Sequence, residues 1–189
     1  ITYATDRLSI PLVEIITDSS IKNPTEAAEV CRILVNAMKV TGLVRRGIGT
    51  VRQDVNVSVT GGTRVEIKGV HRVNNIVPLT AFEALRQKGL LELKNIFCRR
   101  FASPAEITYK ETNLTVRFSG TKNSIGRRLE SDHPLKVVAL HLPNLIDIIK
   151  YPLQPDWNFG SELGGRVRVI ACIDTKPNLF FYSQKDKYD

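Results

Sequence analysis

The chain has 189 residues, of which 42% are hydrophobic and 24% charged, and it contains 12 glycines and 9 prolines. These proportions exclude collagen-like, coiled-coil and wholly disordered classes, and the length suffices to bury a core without disulfides or metals. The net charge of +8 arises entirely within residues 1–130, which hold 20 Lys and Arg against 12 Asp and Glu, while residues 131–189 hold seven of each. This asymmetry predicts two units, of which the first faces a polyanion such as nucleic acid or a nucleotide. A solvated basic surface is the alternative.

Targeting signals and cysteine motifs are missing from the sequence. No apolar stretch is long enough to cross a bilayer, and residues 1–7 lack the features of a signal peptide. Cys31, Cys98 and Cys172 form no Cys-x-x-Cys pair, so neither a zinc knuckle nor a disulfide framework is indicated. We therefore expect a reduced, cytoplasmic setting and no membrane partner.

The first predicted elements are a strand and a helix. The nearly continuous apolar run Ile10–Thr17 predicts a strand covered on both faces, interrupted only by Glu14. Asn23 and Pro24 then supply an N-cap and a proline for the first helical position. Apolar residues recur at helical spacing from there to Gly42, which predicts an amphipathic helix.

The most regular pattern is a pair of alternating segments, Val51–Val59 and Arg64–Val70. In both, valines and isoleucines alternate with polar residues, as in antiparallel strands with one covered face. A two-residue turn between them would place Val57 opposite Glu66 and mix an apolar face with a charged one. We therefore predict a hairpin with a three-residue loop, Gly61–Thr63.

The predicted register determines which polar residues of this hairpin lie opposite one another. Ser58 would lie opposite Glu66 and Asn56 opposite Lys68, which sets carboxylates, amides and cations side by side. Phosphoryl chemistry requires oxygen ligands for Mg²⁺ and cations for phosphates. An ordinary solvent-exposed face is the alternative, and it is the default for an antiparallel sheet.

The remaining predicted elements are a long second helix and several shorter segments. A second helix is expected over Leu79–Phe101, weakened or kinked at Gly89. Its apolar positions are Phe82, Leu85, Leu93, Ile96 and Phe97. The elements predicted beyond it are a strand at Leu114–Phe118, a basic turn and helix at Gly120–Leu129, a linker at Ser131–Pro134, a strand at Val137–Leu142, a helix near Ser161–Val169 and a strand at Asn178–Tyr182.

Common single-motif enzymes are not indicated. The sequence contains no Walker loop, complete Gly-x-Gly-x-x-Gly fingerprint, His-Glu-x-x-His helix or nucleophile elbow. His71, His133 and His141 are too scattered to suggest a ligand set.

Three blocks of residues carry a resemblance to a known family. Asp6–Ile15, Arg46–Ser58 and Gly61–Val70 resemble, in order and spacing, the signature blocks of the family formed by the B and E subunits of tRNA-dependent amidotransferases. Within that family the sequence is most similar to the archaeal-type E subunit. Lys136–Pro143 and Gly160–Arg168 are similar to the start of its insertion, which resembles one in bacterial aspartyl-tRNA synthetase. The resemblance covers nearly all of this chain but only a middle part of a full family member, so we expect a fragment.

The resemblance implies a fold and a function. The fold would be α+β: residues 1–130 as part of a glutamine-synthetase-like cradle of antiparallel sheet and helices, and residues 131–189 as part of the insertion domain. The cradle would use ATP and Mg²⁺ to phosphorylate the glutamate carboxylate of misacylated Glu-tRNA(Gln). Ammonia from an asparaginase-like glutaminase partner, the D-type subunit of such enzymes, would then displace the phosphate, in an assembly expected to be a heterotetramer.

Nine residues are assigned to this chemistry. Those expected to bind metal are Glu14 and Glu66, and those expected to act in catalysis are Asp54, Asn56 and Lys68. Those expected to contact the nucleotide phosphates are Arg7, Arg52, Ser58 and Arg64. Glu14 leads the metal candidates because a lone carboxylate on a buried strand must be paired, protonated or bound to metal. A structural ion pair is its alternative.

Two other functions compete with this interpretation. A non-catalytic basic RNA-binding module with an interaction domain would also explain the charge. An enzyme of the bacterial B type is the second rival, and the synthetase-like insertion argues against it.

Overall fold

A computed structural model describes residues 12–47, 49–130, 135–172 and 179–181. The helices are α1 (Pro24–Val40), α2 (Ile76–Arg100), α3 (Thr115–Phe118), α4 (Ser124–Leu129), α5 (Ile146–Ile149) and α6 (Phe159–Ile170). The strands are β1 (Gln53–Val57), β2 (Val65–Val70), β3 (Lys110–Asn113), β4 (Val138–His141), β5 (Pro152–Gln154) and β6 (Trp157–Asn158). Short 3₁₀ turns lie at Val73–Asn75 and Pro104–Glu106.

Helices and small antiparallel sheets alternate along the chain, so the predicted α+β class is confirmed. The described strands pair as β1 with β2, β3 with β4 and β5 with β6. By their contacts, the described residues divide into two compact units, one formed by residues up to 57 with 65–81, the other by 58–64 with those from 82 onward. The expected boundary between 130 and 131 is not this division, and β3 pairs with β4 across it. The expected domain boundary between residues 130 and 131 stays a prediction.

Helix α1 follows its predicted signals. The Asn23 side chain accepts a hydrogen bond from the Glu26 N–H at 2.8 Å, and Pro24 occupies the first turn, where no N–H is needed. Ala28 and Cys31 on its inner side are buried with Val70 and Ile76 in the core of the first unit. Burial raises the pKa of the Cys31 thiol, which here packs as a small apolar side chain.

The hairpin is confirmed, but its predicted register is wrong. Asn56 lies opposite Glu66 and Val57 opposite Val65, so Ser58 does not face Glu66 and Asn56 does not face Lys68. The observed cross-strand pairs differ from the predicted pairs by two residues. A shift of two keeps every apolar side chain on the expected face. Seven residues link the strands instead of three, because a turn closed by the Gly62 N–H and the Val59 carbonyl takes the chain out of the ladder earlier.

The predicted N-terminal strand is wrong wherever the structure describes it. Residues 12–17 are irregular and exposed, with Val13 85% and Ile16 82% accessible. No strand of the described residues pairs with this segment, so its backbone has no ladder and its β-branched side chains have no covering layer. Residues 10 and 11 lie outside the described residues.

Helix α2 is confirmed and runs unbroken through Gly89. A Cβ at Gly89 would lie 3.0 Å from Leu153 Cδ2 and 3.3 Å from Leu153 Cα on β5. Leu153 is buried with Leu93, Leu145 and Ile148 in the core of the second unit. Gly89 therefore allows close approach of helix and strand.

The later elements agree in part with the sequence patterns. The helix at Ser124–Leu129, the strand at Val138–His141 and the helix at Phe159–Ile170 are confirmed. The strand predicted at Leu114–Phe118 is wrong: the Asn113 side chain accepts the Thr115 N–H at 3.0 Å, which ends β3 and starts a helical turn.

Near the C-terminus, residues 179–181 carry no strand, and the ends of the segment predicted there lie outside the described residues. The predicted linker, 131–134, also lies outside them.

The close packing at Gly89 predicts a site-specific cost. We expect Gly89→Val to lower the free energy of unfolding by about 1–3 kcal/mol, because the backbone of β5 must shift to admit the side chain. Gly165→Val on α6 is the matched control, since a Cβ there meets nothing within 4 Å. Urea unfolding of both variants checks this, and equal effects would show that β5 yields without cost.

Candidate functional site

The polar face of the β1–β2 hairpin is the first candidate site. Asp54, Asn56, Glu66 and Lys68 are exposed, whereas the alternate residues of both strands are buried or half-buried. Asn56 and Glu66 are direct cross-strand partners, so an amide and a carboxylate stand side by side. The structure thus brings together four predicted residues through a register that differs from the predicted one.

Asp54 has a structural partner. The ladder shifts between Gln53 and Val55, and Gly69 opposite has φ +71°. The Asp54 Oδ1 atom accepts the Gly69 N–H at 2.8 Å. One oxygen of this carboxylate therefore holds the bulge.

Glu66 and Lys68 form an ion pair of 3.2 Å on the same face. Their side chains are 39% and 71% accessible, so water screens the pair strongly and it contributes little to stability. Arg52 is exposed, and it forms no ion pair among the described residues. The face therefore offers carboxylate and amide oxygens beside two cations that a ligand can reach.

Ser58 and Arg64 occupy the two ends of the loop that joins the strands, and they belong to the second compact unit. Both residues are exposed, and Arg64 has no ion-pair partner in the part of the chain that the structure describes. Arg7 lies outside the described residues.

Glu14 is exposed on an irregular segment, so the expectation that it sits on a buried strand is wrong. A solvated carboxylate needs no partner, which removes the burial argument for a metal at this position. Its assignment as a metal ligand stays a prediction.

The donor set of the hairpin face fits one kind of metal binding. Within the described ranges, no group of three or more His, Cys, Asp and Glu side chains is placed to hold a metal ion. Mg²⁺ usually keeps several waters and takes one or two carboxylates together with substrate phosphates. Glu66 and Asn56 fit magnesium that arrives with a polyphosphate, and they do not form a cage for a bare ion.

A cluster of polar side chains in the second unit was missed by sequence reasoning; Glu83 and Gln87 are buried in it, and Arg86 and Glu162 are half-buried. The Glu83 carboxylate accepts hydrogen bonds from Arg86 Nε at 2.8 Å, from Arg86 Nη2 at 3.0 Å and from Gln87 Nε2 at 2.8 Å. Arg86 Nη1 also donates to Glu162 of α6 at 2.9 Å. The hydrogen bonds with Glu83, and then the charge of Glu162, raise the pKa of the Arg86 guanidinium. We call Glu83, Arg86, Gln87 and Glu162 the buried polar cluster.

The orientation of α2 explains why the cluster was missed. The apolar pattern points Phe82 and Leu85 inward, yet these side chains are 41% and 47% exposed, whereas Glu83 and Gln87 are buried. A usable signal was present in the spacing, because Glu83 stands three and four residues before Arg86 and Gln87 on one helix face.

Among the residues that the structure describes, no helix has the length and apolarity needed to cross a membrane.

Comparisons with known proteins agree with the sequence resemblance. Residues 1–140 match the family described as the GatB/GatE catalytic domain. The E subunit of glutamyl-tRNA(Gln) amidotransferase from Pyrobaculum aerophilum is 40% identical over 167 residues, which are 88% of this chain and 27% of the relative. Its counterpart in Aeropyrum pernix is 38% identical over 174 residues, 92% of this chain and 27% of the relative. The Pyrococcus furiosus protein is 37% identical over 188 residues, which cover 100% of this chain and 29% of that relative. The chain therefore spans less than a third of the length of these relatives.

The hydrogen bond between Asp54 and Gly69 predicts different results for two substitutions at one position. Asp54→Ala should lower the free energy of unfolding by about 0.5–1.5 kcal/mol, because the Gly69 N–H loses its acceptor. Asp54→Asn keeps a carbonyl oxygen and should unfold close to the parent in urea. If the two variants unfold alike, the hydrogen bond does not hold the bulge.

Proposed function

Because this chain belongs to the GatB/GatE catalytic domain family, we propose that it is part of a longer subunit of a tRNA-dependent amidotransferase. In this proposal the chain phosphorylates the side-chain carboxylate of glutamate on misacylated Glu-tRNA(Gln), with ATP as donor. Residues 1–130 belong to a glutamine-synthetase-like cradle and residues 131–189 to a synthetase-like insertion, in a cytoplasmic enzyme.

The hairpin face is the observation that supports this proposal. It sets the exposed Asn56 beside Glu66 and the exposed Lys68 within 3.2 Å of Glu66, on strands whose other face packs in the core. Phosphoryl transfer needs positioned oxygens and cations and requires no protein nucleophile. A rigid two-stranded platform with both kinds of group meets that requirement.

The reaction has two steps. A glutamate oxygen forms a bond to the γ-phosphorus while the bond from that phosphorus to the leaving ADP oxygen breaks. Ammonia then forms the C–N bond while the bond from the acyl carbon to the phosphate oxygen breaks, and the released inorganic phosphate takes up the proton lost from nitrogen. Bound Mg²⁺ would neutralise phosphate charge during the transfer.

The residues of the chain then have distinct tasks. Glu66 and Asn56, with Glu14, would hold the metal, and Lys68 and Arg52 would bind phosphate oxygens as fixed cations. Asp54 would orient the neighbouring groups through the bulge that it stabilises. Ser58 and Arg64 would contact the nucleotide phosphates from the loop, and Arg7 is assigned the same task.

The enzyme also requires a partner in this scheme. The nine residues are assigned to metal binding, nucleotide binding and phosphoryl transfer, so ammonia would come from an asparaginase-like glutaminase chain. The expected assembly is a heterotetramer of two such pairs.

A non-catalytic RNA-binding module is the second candidate. Residues 116–129 contain no acidic residue, and within them Arg117, Lys122 and Arg127 are exposed without an ion pair among the described residues. Such a segment suits a phosphodiester backbone. Mg²⁺-dependent ATP binding separates the two candidates, because a pure RNA binder has no reason to bind the nucleotide.

Removing Lys68 tests the function directly. In the full-length protein that contains these residues, we expect Lys68→Ala to raise the Kd for Mg²⁺-ATP by about tenfold or more, since a charge-assisted hydrogen bond to phosphate contributes about 1.5–3 kcal/mol. Lys110→Ala is the matched control, because it removes the same charge from another exposed strand. Calorimetric titration measures both. If neither variant differs from a parent that binds ATP, the hairpin face is not the nucleotide site.

Glu14 is tested by an amide substitution. Because its side chain is exposed, Glu14→Gln should leave the free energy of unfolding within about 0.5 kcal/mol of the parent. A role in metal binding predicts that Mg²⁺-dependent phosphorylation of Glu-tRNA(Gln) falls sharply in the assembled complex, because an amide lacks the charge that the cation needs. A variant with normal phosphorylation would remove Glu14 from the site.

A further inference from the structure

We propose that Gln87 is a positioning residue, which fixes the hairpin loop 58–64 in the conformation that presents Ser58 and Arg64 to the nucleotide. This role rests on the proposed function of the hairpin and adds the residue that sets the geometry of its loop. Gln87, Glu83, Arg86 and the loop all belong to the second compact unit.

The loop leaves the strand ladder through a tight turn. The Gly62 N–H donates to the Val59 carbonyl at 2.8 Å, and Gly61, the third residue of this turn, has φ +79°. The Val59 N–H donates to Gln87 Oε1 on α2 at 3.1 Å. The loop is therefore bound to the helix near its start, by a hydrogen bond from the Val59 backbone to the Gln87 side chain.

The Gln87 side chain also lies close to Gly62, at the other end of the turn. A Cβ at Gly62 would fall 2.8 Å from Gln87 Oε1, so only glycine fits at this position without displacing the amide. A Cβ at Gly61 would lie 3.8 Å from Leu91 Cδ1, one turn further along α2. The turn thus rests on the surface of α2.

The buried polar cluster fixes which way the Gln87 amide faces. A carboxylate only accepts hydrogen bonds, so the amide nitrogen must face Glu83 and the amide oxygen must face Val59. Glu83 is itself held by two hydrogen bonds from Arg86, which also binds Glu162. Gln87 is 5% exposed, so water competes little for the amide, which favours its hydrogen bond to the loop.

Such support matters for the ends of the loop. Ser58 and Arg64 are exposed there, and Arg64 is a long cation without an ion-pair partner among the described residues. A seven-residue loop with two glycines loses much conformational entropy when a ligand orders it. Gln87 holds the turn of the loop before the ligand binds, which reduces that loss. Gln87 should therefore act on nucleotide binding without touching the nucleotide.

The experiment replaces the amide in the full-length protein and measures KM for ATP and kcat for the Mg²⁺-dependent phosphorylation of Glu-tRNA(Gln) by the assembled complex. We expect Gln87→Leu to raise the KM for ATP by about 10- to 100-fold, as for other groups that orient binding residues, while kcat at saturating ATP changes much less. Gln154→Leu, at a half-buried glutamine of β5, is the matched control and should leave KM unchanged. Assays run below the melting temperature of each variant, which is measured in parallel.

A second variant reaches the same contact from the loop. Gly62→Ala should displace the Gln87 amide and raise KM similarly, and the double variant should add little, because each single change already breaks the contact. Normal KM in both single variants, or an effect confined to the melting temperature, would overturn the positioning role. Arg64→Ala separates this result from failure of the proposed function: if it also leaves ATP binding unchanged, the loop does not contact the nucleotide at all.

Discussion

The Glu83 carboxylate is the constraint on which the second unit depends. It is 9% exposed, and at that depth a charge must be neutralised and its oxygens hydrogen-bonded. Arg86 supplies the charge and two hydrogen bonds, Gln87 supplies a third, and Arg86 also donates to Glu162 on α6. Removing one partner of a fully buried pair costs about 3–5 kcal/mol, and a smaller cost is expected here because the Arg86 side chain is 18% accessible. The inward side of α2 is therefore set by charge pairing at Glu83 together with apolar packing at Leu93.

Sequence reasoning worked where the causes of the structure are local. The ends of α1 and the two hairpin strands were predictable because their causes are local: Asn23 caps the helix, and alternation in β1 and β2 follows from one covered face. The grouping of Asn56, Glu66 and Lys68 on one face was predictable for the same reason, since parity alone assigns each residue to a face. A register error of two residues leaves that assignment intact.

What could not be predicted depends on contacts between distant residues. The register follows from a bulge held by Asp54 and from a loop bound to Gln87, 28 residues beyond Val59. One contact on the inward side of α2 is with Glu162, 76 residues beyond Arg86. The composition of the apolar run before α1 predicts a strand. A strand also needs a neighbouring strand to pair with, and composition does not specify one.

The exposed polar residues of the hairpin and the buried Gln87 are explained in different ways. Asn56, Glu66 and Lys68 are exposed, so packing does not determine their identities, and solvation alone or the proposed chemistry accounts for them. Gln87 is different, because a leucine of similar size could fill much of its volume without an amide to satisfy. An amide there is stable only because Glu83 accepts from its nitrogen while Val59 donates to its oxygen. Packing alone does not require that amide: its nitrogen satisfies the buried Glu83 carboxylate, and in our proposal its oxygen holds the loop.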